Sequence, residues 1–517
     1  MDNMLYHINA QRLRPGSGAS LDMLNAAEAR RARRFHAGFA QYAPTPLVPL
    51  PYLASTLGLG NIRAKDESKR FGLNAFKVLG ASYAMGRYLA ERLGKPIDDL
   101  TPADLCSPAV GERLGPITFV SATDGNHGRA VAWTAQQLGK KAVIYMPKGS
   151  DPARLENIRS HGAEAGITDL NYDDAVRLAW KMACENGWVM VQDTAWDGYE
   201  DIPTWIIQGY AALAVEALAQ WRAEELEPPT HLFLQAGVGS FASGVLGYMA
   251  SELGDALPKT IIVEPHAADC IYRSALAGDG LPHSVTGDLS TLMAGLACGE
   301  PCTVGWPILR DSASAYLSCP DYVAANGMRL YAAARGGDAP IVSGESGAAP
   351  LGALIGALLI EKLGRRVEVS GAFIWVAVFA FAYAMALNAG STALITVLGF
   401  LMTIGFYVLN ASVISVYVGE LFSTRYRFRG AGISQGAGKA VNVVMPFAVT
   451  WILANLQPNV IYFGIVAIAP LIVGKALDNY SLAIGGTSVI IVVGVALETV
   501  QALESQMLMR QYKGFLE

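Results

Sequence analysis

Over its first 348 residues the chain alternates short apolar runs with longer amphipathic stretches. Residues 117–123, 141–147, 188–194, 231–236 and 260–265 are short and largely apolar, and most end at or just before Gly, Pro, Asp or Thr. Such runs predict buried strands. Between them, 130–138, 152–161, 172–186, 206–223 and 242–253 place apolar residues at helical spacing. The alternation predicts right-handed βαβ units around a mostly parallel sheet, with ligands bound beyond the carboxyl ends of the strands. After Pro350 the pattern changes. Residues 371–390, 392–418 and 431–456 are continuous apolar stretches, each reaching the roughly 20 residues that span a bilayer. Residues 460–474 are shorter, and 481–500 are interrupted by Gly485, Gly486 and Glu498. The expected architecture is therefore an α/β domain followed by an all-α transmembrane segment of four to five helices.

Composition sharpens this division. A chain of 517 residues exceeds the roughly 250–300 residues at which single cores stop growing. All 7 His and all 6 Cys precede Pro350. A net charge of −5 gives no reason to expect nucleic-acid binding. Residues 1–34 are polar and arginine-rich, with no apolar run of signal-peptide length. The front half is thus expected in the cytoplasm, on the inner or plasma membrane, with reduced thiols. Cys298 and Cys302 have no second ligand pair nearby and read as ordinary thiols, so no metal site is expected.

Four segments carry candidate chemistry. In residues 63–80 a polar, glycine-containing loop leads to Lys77 at the head of an apolar helix, between Phe76 and Val78-Leu79. Desolvation there would depress the lysine pKa and free the amine to attack a carbonyl; a lysine snorkelling to solvent fits the same pattern. The loop Ser121-Ala122-Thr123-Asp124-Gly125-Asn126-His127-Gly128 follows a predicted strand. Its glycines let backbone approach a ligand and Asn126 offers donor and acceptor, or the loop is an Asx turn capping the next helix. After the strand at 231–236, Gly237-Val238-Gly239-Ser240 opens a helix. Exposed N–H groups and the helix N-terminus suit an anion there, though a tight strand-to-helix turn needs no more than this. Asp193 ends the strand at 188–194, where it either grips a second ammonium of a substrate or caps the turn at Tyr199.

Together with Met293-Ala294-Gly295-Leu296 and Ser343-Gly344-Glu345-Ser346-Gly347, these segments resemble the diaminopropionate ammonia-lyases, of the tryptophan-synthase-β-like fold family. The resemblance implies a parallel-sheet fold of that type over residues 1–348, pyridoxal 5'-phosphate as cofactor and a homodimer through the lyase domain. It also implies β-elimination from a small diamino acid, 2,3-diaminopropionate, to give pyruvate and ammonia. Lys77 would be the Schiff-base residue and the base for one enantiomer, and Asp124 the acid/base for the other. Asn126 would bind the ring hydroxyl oxygen, and Gly237, Val238, Gly239 and Ser240 the phosphate. Asp193 would contact substrate, and His127 would be structural.

After Gly347 the family's closing stretch, with a Ser/Thr-rich turn near the ring nitrogen, is absent. The core is expected to lose closing elements and to leave a sheet edge uncovered. Residues 349–474, with Leu363-Gly364-Arg365-Arg366 and 419–427, resemble the last third of major-facilitator sugar and metabolite transporters. Residues 475–517 resemble the C-terminal helix and tail of the SecY protein-translocation channel. Two alternatives to a membrane-tethered lyase follow: a transporter with a regulatory domain, which lacks half of its transport path, or a mosaic fusion without integrated function.

Overall fold

The computed structural model describes residues 4–123 and 125–363, together with Trp375, Val378, Phe379, Ala382, Val397, Leu398 and Leu401. The chain divides into two units, Asp2–Leu358 and Leu359–Glu517. Among its described residues the first holds ten strands: β1 (Leu5–Ile8), β2 (Leu47–Pro49), β3 (Arg63–Lys65), β4 (Thr118–Ala122), β5 (Lys141–Met146), β6 (Glu164–Ile167), β7 (Val189–Met190), β8 (His231–Gln235), β9 (Lys259–Pro265) and β10 (Ala315–Cys319). One sheet, in the order β6-β5-β4-β7, is wholly parallel. A second runs β1-β10-β9-β8, parallel except for the antiparallel edge strand β1. β2 and β3 form an antiparallel pair.

All five expected strands are present, and their deviations have local causes. The run at 188–194 pairs only over Val189 and Met190, because the Gln192 side chain takes the next place in the ladder. Its Oε1 accepts from Ala122 N at 3.3 Å and Ser121 Oγ at 3.0 Å, and the backbone turns inward. β10 is not apparent from sequence, since its Ala-Tyr-Leu-Ser-Cys run has no β-branched residue.

Seven helices position the site: α1 (Ala26–Ala37), α2 (Lys77–Leu93), α3 (Asn126–Gln137), α4 (Asp201–Ala223), α5 (Ser240–Leu253), α6 (Asp321–Ala333) and α7 (Glu345–Leu363). Asn25 Oδ1 caps α1 by accepting from Ala27 N at 2.9 Å and Glu28 N at 3.0 Å. α2 ends on Gly94 in the left-handed region. α3 and α5 begin earlier than hydrophobic spacing indicates, because the loop residues Asn126 and Ser240 already form their first turns. Among the described residues only α4 is long and apolar enough to cross a membrane. It is a core helix instead, with Ile206, Ile207, Tyr210 and Ala211 buried in the main hydrophobic cluster beside Val78 and Leu79 of α2.

The residues after Gly347 do not leave the core open where they are described. Ala349 and Ala353 of α7 are fully buried with Val263, Met293 and Cys319. A Cβ on Gly352 would lie 2.1 Å from Val323 O, and one on Gly327 of α6 2.1 Å from Ala348 O. The two helices therefore pack backbone to backbone across residue 348. The sheet does end on β8, and Leu232 and Phe233 on it are only partly buried. In the second unit the described positions are helical. Trp375 Nε1 donates to Leu401 O at 2.8 Å, and its ring lies 4.7 Å from that of Phe379. The expected spans at 431–456, 460–474 and 481–500 fall outside the described residues.

A buried histidine ties α1 to α2. His36 Nε2 donates to Leu79 O at 2.8 Å, and Nδ1 is buried without a partner. Burial holds the imidazole down at about 4, against the partial support of Leu79 O. The unfolded imidazole, near 6.5, binds a proton where the folded one does not, so stability is expected to fall as pH drops from about 6.5 to about 4. His36→Gln keeps a donor towards Leu79 without titrating. Urea midpoints measured across that window should flatten in the variant; an unchanged pH slope would assign the loss to other groups.

Candidate active site

The carboxyl ends of β4, β7 and β8 and the head of α2 converge on one cleft in the first unit. Lys77 is the first residue of α2. Its position depends on the crossing of α2 and α4. A Cβ on Gly209 would lie 2.3 Å from Leu79 O, and one on Gly80 2.6 Å from the Tyr210 ring. That close approach brings Tyr210 and the lysine together. Phe76 and Phe241 pack at 4.3 Å between ring centres, and Phe76 and Tyr210 at 5.1 Å. The three rings form an apolar wall beside the amine.

Lys77 Nζ forms an ion pair and hydrogen bond with Asp193 Oδ2. Tyr210 Oη donates to the same oxygen at 3.4 Å. The expectation of a depressed lysine pKa is thereby corrected. Burial does pull Lys77 down, but the Asp193 carboxylate overcomes it and raises the ammonium above its ordinary value. Asp193 is pushed up by burial, yet Lys77 and then His127 pull it down further, to about 2. Asp193 therefore faces the lysine and does not cap the turn at Tyr199. Tyr199 instead receives Gln192 N on its hydroxyl at 2.8 Å and donates to Met190 O at 3.0 Å.

At the end of β8, Gly237-Val238-Gly239 leads into α5. Gly239 sits at φ +95°, where a side chain would be strained and a Cβ would lie 2.9 Å from Leu309 Cδ1. A Cβ on Gly237 would lie 3.2 Å from Leu296 Cα and 3.4 Å from Cys298 Sγ. Ser240, the first residue of α5, donates from Oγ to Asp193 O. This bond joins the glycine loop to the lysine's carboxylate partner. A glycine turn opening a helix in this way has the backbone N–H groups and dipole that suit an anion.

After β4, Gly125 N donates to Thr123 Oγ1 at 2.9 Å. Asn126 heads α3 with its side chain exposed. His127 is buried, with Nε2 bonded to Val191 O at 2.9 Å, in keeping with a structural role. Asp124 lies outside the described residues. The structure thus brings Lys77, Asp193 and the Gly237–Ser240 loop together, while Asn126 stands exposed at the head of α3 after β4. Tyr210 and Cys298 were not expected. Tyr210 lies in a largely apolar stretch of α4 with Gln208 beside it, a signal that marks it only once its partner is known. Arg154 and Glu345 also meet here, 3.9 Å apart, with Arg154 Cδ 3.0 Å from the place of a Gly125 Cβ.

Comparison with known proteins places the chain. The model for pyridoxal-phosphate dependent enzymes matches residues 39–397, and that for sugar (and other) transporters matches residues 348–475. The diaminopropionate ammonia-lyase of Salmonella typhimurium is 57% identical over 350 residues, 68% of this chain and 87% of that protein. That of Escherichia coli strain K12 is 53% identical over 338 residues, 65% of this chain and 83% of that protein. The crystal structure of the holo enzyme from Escherichia coli superposes with a TM-score of 0.65 at 49% identity, covering 70% of this chain and 90% of that one. The same enzyme in complex with D-serine gives a TM-score of 0.64 at 48% identity, with the same coverage.

Proposed function

The chain belongs to the pyridoxal-phosphate-dependent enzymes and within them to the diaminopropionate ammonia-lyases, and from that premise we propose that its first unit eliminates the β-amino group of 2,3-diaminopropionate as ammonia, leaving aminoacrylate that water hydrolyses to pyruvate and a second ammonia. The single observation that carries the reading is the placement of Lys77 Nζ, in ion pair with Asp193, beside the glycine loop tied to Asp193 by Ser240. Pyridoxal phosphate, when bound, supplies an electron sink that acidifies the α-carbon of the amino acid it carries.

The chain's own groups do the rest. Residues 237–240 would hold the phosphate, and Asn126 the ring hydroxyl oxygen. The Phe76, Tyr210 and Phe241 wall limits water around the amine. Lys77 would carry the cofactor and take the α-proton of one enantiomer, with Asp124 taking it on the opposite face. Asp193 holds Lys77 while that amine is an ammonium. With Lys77 acting as a neutral base, the Asp193 carboxylate would be left to receive the second ammonium of a diamino acid. Asp124→Asn should therefore lower turnover of D-2,3-diaminopropionate by about 10²–10⁴-fold, the usual worth of a general base, and that of the L form much less. Ammonia release from the full-length chain on each enantiomer decides it; equal losses on both would reduce Asp124 to a turn residue.

The remainder of the chain reads as a tether. We propose that residues 349–474 are transporter-like membrane helices and 475–517 a SecY-like helix and tail, with the lyase domain, residues 1–348, in the cytoplasm at the inner or plasma membrane and paired as a homodimer. The transporter match over 348–475 supports the first of these assignments, that of residues 349–474. Basic residues favour the cytoplasmic side, so Arg510 and Lys513 should hold the C-terminus there and keep residues 481–500 from crossing. A membrane-impermeant thiol reagent should fail to label Gln511→Cys in intact cells, once the native cysteines are removed. Labelling would place the tail outside.

A further inference from the structure

Tyr210 is fully buried in α4, and its hydroxyl meets a charged group. Packing accounts for the ring. The place of a Gly80 Cβ is 2.6 Å from Tyr210 Cε1, and that of a Gly244 Cβ is 3.3 Å from Tyr210 Cβ. The Phe76 and Phe241 rings lie 5.1 and 6.2 Å away between centres. A phenylalanine would fill the same space. What the hydroxyl adds is its 3.4 Å bond to Asp193 Oδ2, without which a buried hydroxyl costs stability.

Oδ2 is the same oxygen that pairs with Lys77 Nζ. A primary ammonium and a phenol thus share one carboxylate oxygen, and the two are close enough for their charges to interact. Asp193 is buried, and Ser240 Oγ anchors its backbone carbonyl. The other charged neighbour of Asp193 is His127, whose Nε2 is taken by Val191 O. Burial holds the Tyr210 hydroxyl above its ordinary value against the pull of Lys77, so it keeps its proton. With that proton given to Asp193, the phenol oxygen still has lone pairs to accept from an ammonium. A second primary ammonium that reaches Asp193 while Lys77 is neutral finds a carboxylate and a phenol oxygen together.

We propose that the Tyr210 hydroxyl is a specificity-determining group that receives, with Asp193, the second ammonium of a diamino substrate. The assignment rests on the diamino-acid reading given above. Asp193 supplies the charge, and Tyr210 Oη steadies the carboxylate oxygen and accepts from the ammonium. A substrate with a hydroxyl in place of that ammonium brings no charge to Asp193 and gains less from the pair.

The first test needs no cofactor. Lys77→Ala in the full-length chain in detergent removes the resident amine, and ethylammonium is the probe, at mildly alkaline pH. Ethylammonium chloride should raise the unfolding midpoint of Lys77→Ala beyond sodium chloride at equal ionic strength. Lys77→Ala/Tyr210→Phe should need roughly 2- to 12-fold more of it for the same rise, the net worth of one hydrogen bond. No rise in Lys77→Ala overturns the assignment, as does an equal requirement in the two chains. The second test compares D-2,3-diaminopropionate with D-serine on the chain supplied with pyridoxal phosphate. Tyr210→Phe should lower kcat/KM for the diamino acid by the same roughly 2- to 12-fold and that for serine less. Equal losses on both would make Tyr210 a packing residue and overturn the assignment. A native chain that turns over neither substrate, with the ethylammonium difference intact, would overturn the lyase reading and support the ammonium subsite.

Discussion

Lys77→Ala is expected to remove the visible absorption band of the full-length chain with pyridoxal phosphate, and with it all measurable ammonia release from 2,3-diaminopropionate. Lys77 Nζ is the amine that heads α2 beside the glycine loop, and Asp193 and the Tyr210 hydroxyl already orient around it. Alanine takes away both the covalent anchor and one of the bases. The base alone is worth about 10²–10⁴-fold, and loss of the anchor deepens the deficit. A control separates chemistry from folding, because the substitution also leaves Asp193 without its cation. Asp193 is held at about 2 by Lys77 against the upward push of burial, so Lys77→Ala should raise its pKa and cost some stability at neutral pH. Lys77→Ala/Asp193→Asn should recover that stability without recovering the band. A band that persists in either variant refutes the assignment.

Glu216→Ala should destabilise the first unit by about 3–5 kcal/mol, the range for breaking a buried ion pair by removing one partner. Glu216 in α4 has a fully buried side chain, and so does its partner Arg70. Its carboxylate accepts from Arg70 Nη1 at 2.8 Å, Arg70 Nη2 at 2.7 Å, Lys65 Nζ at 2.8 Å and Tyr42 Oη at 2.8 Å. Alanine would leave Lys65 with only the neutral acceptors Thr45 O and Gln220 Oε1, and buried Arg70 with Glu67 as its one remaining carboxylate, beside the segment that leads to Lys77. Burial pushes the carboxyl up, but Arg70 and then Lys65 hold it down at about 2, from 4.5. Its contribution is therefore fully present above about pH 4.5 and is lost as pH falls through about 2. Urea unfolding followed by tryptophan fluorescence should show the native chain losing stability over that window, and Glu216→Ala losing correspondingly less. A variant within about 0.5 kcal/mol of the parent at neutral pH, the usual spread of a surface change, would show the cations finding other partners or water.

What the sequence determined by itself is local. The alternation of short apolar runs and amphipathic stretches specified the parallel strands β4, β5, β7, β8 and β9 and the helices that alternate with them, though not β6 or β10, because side-chain period is a property of neighbouring residues. The glycine loops and the lysine at the head of α2 were legible for the same reason. Each is a contiguous run whose backbone needs show in its residue types. Even the family was legible from those runs. The tertiary structure alone decided what each charged group faces. Lys77 and Asp193 are 116 residues apart and Arg70 and Glu216 146 apart, and no pattern along the chain links them. Their meeting depends on α2 crossing α4 at Gly80 and Gly209, where missing side chains let the backbones close. That crossing reversed the expected pKa of Lys77, since a nearby carboxylate outweighs desolvation. The seam after Gly347 was likewise decided in three dimensions. A break in family likeness is a property of sequence, whereas burial of Ala349 and Ala353 beside Val263 and Cys319 depends on what α7 meets as it continues through that position.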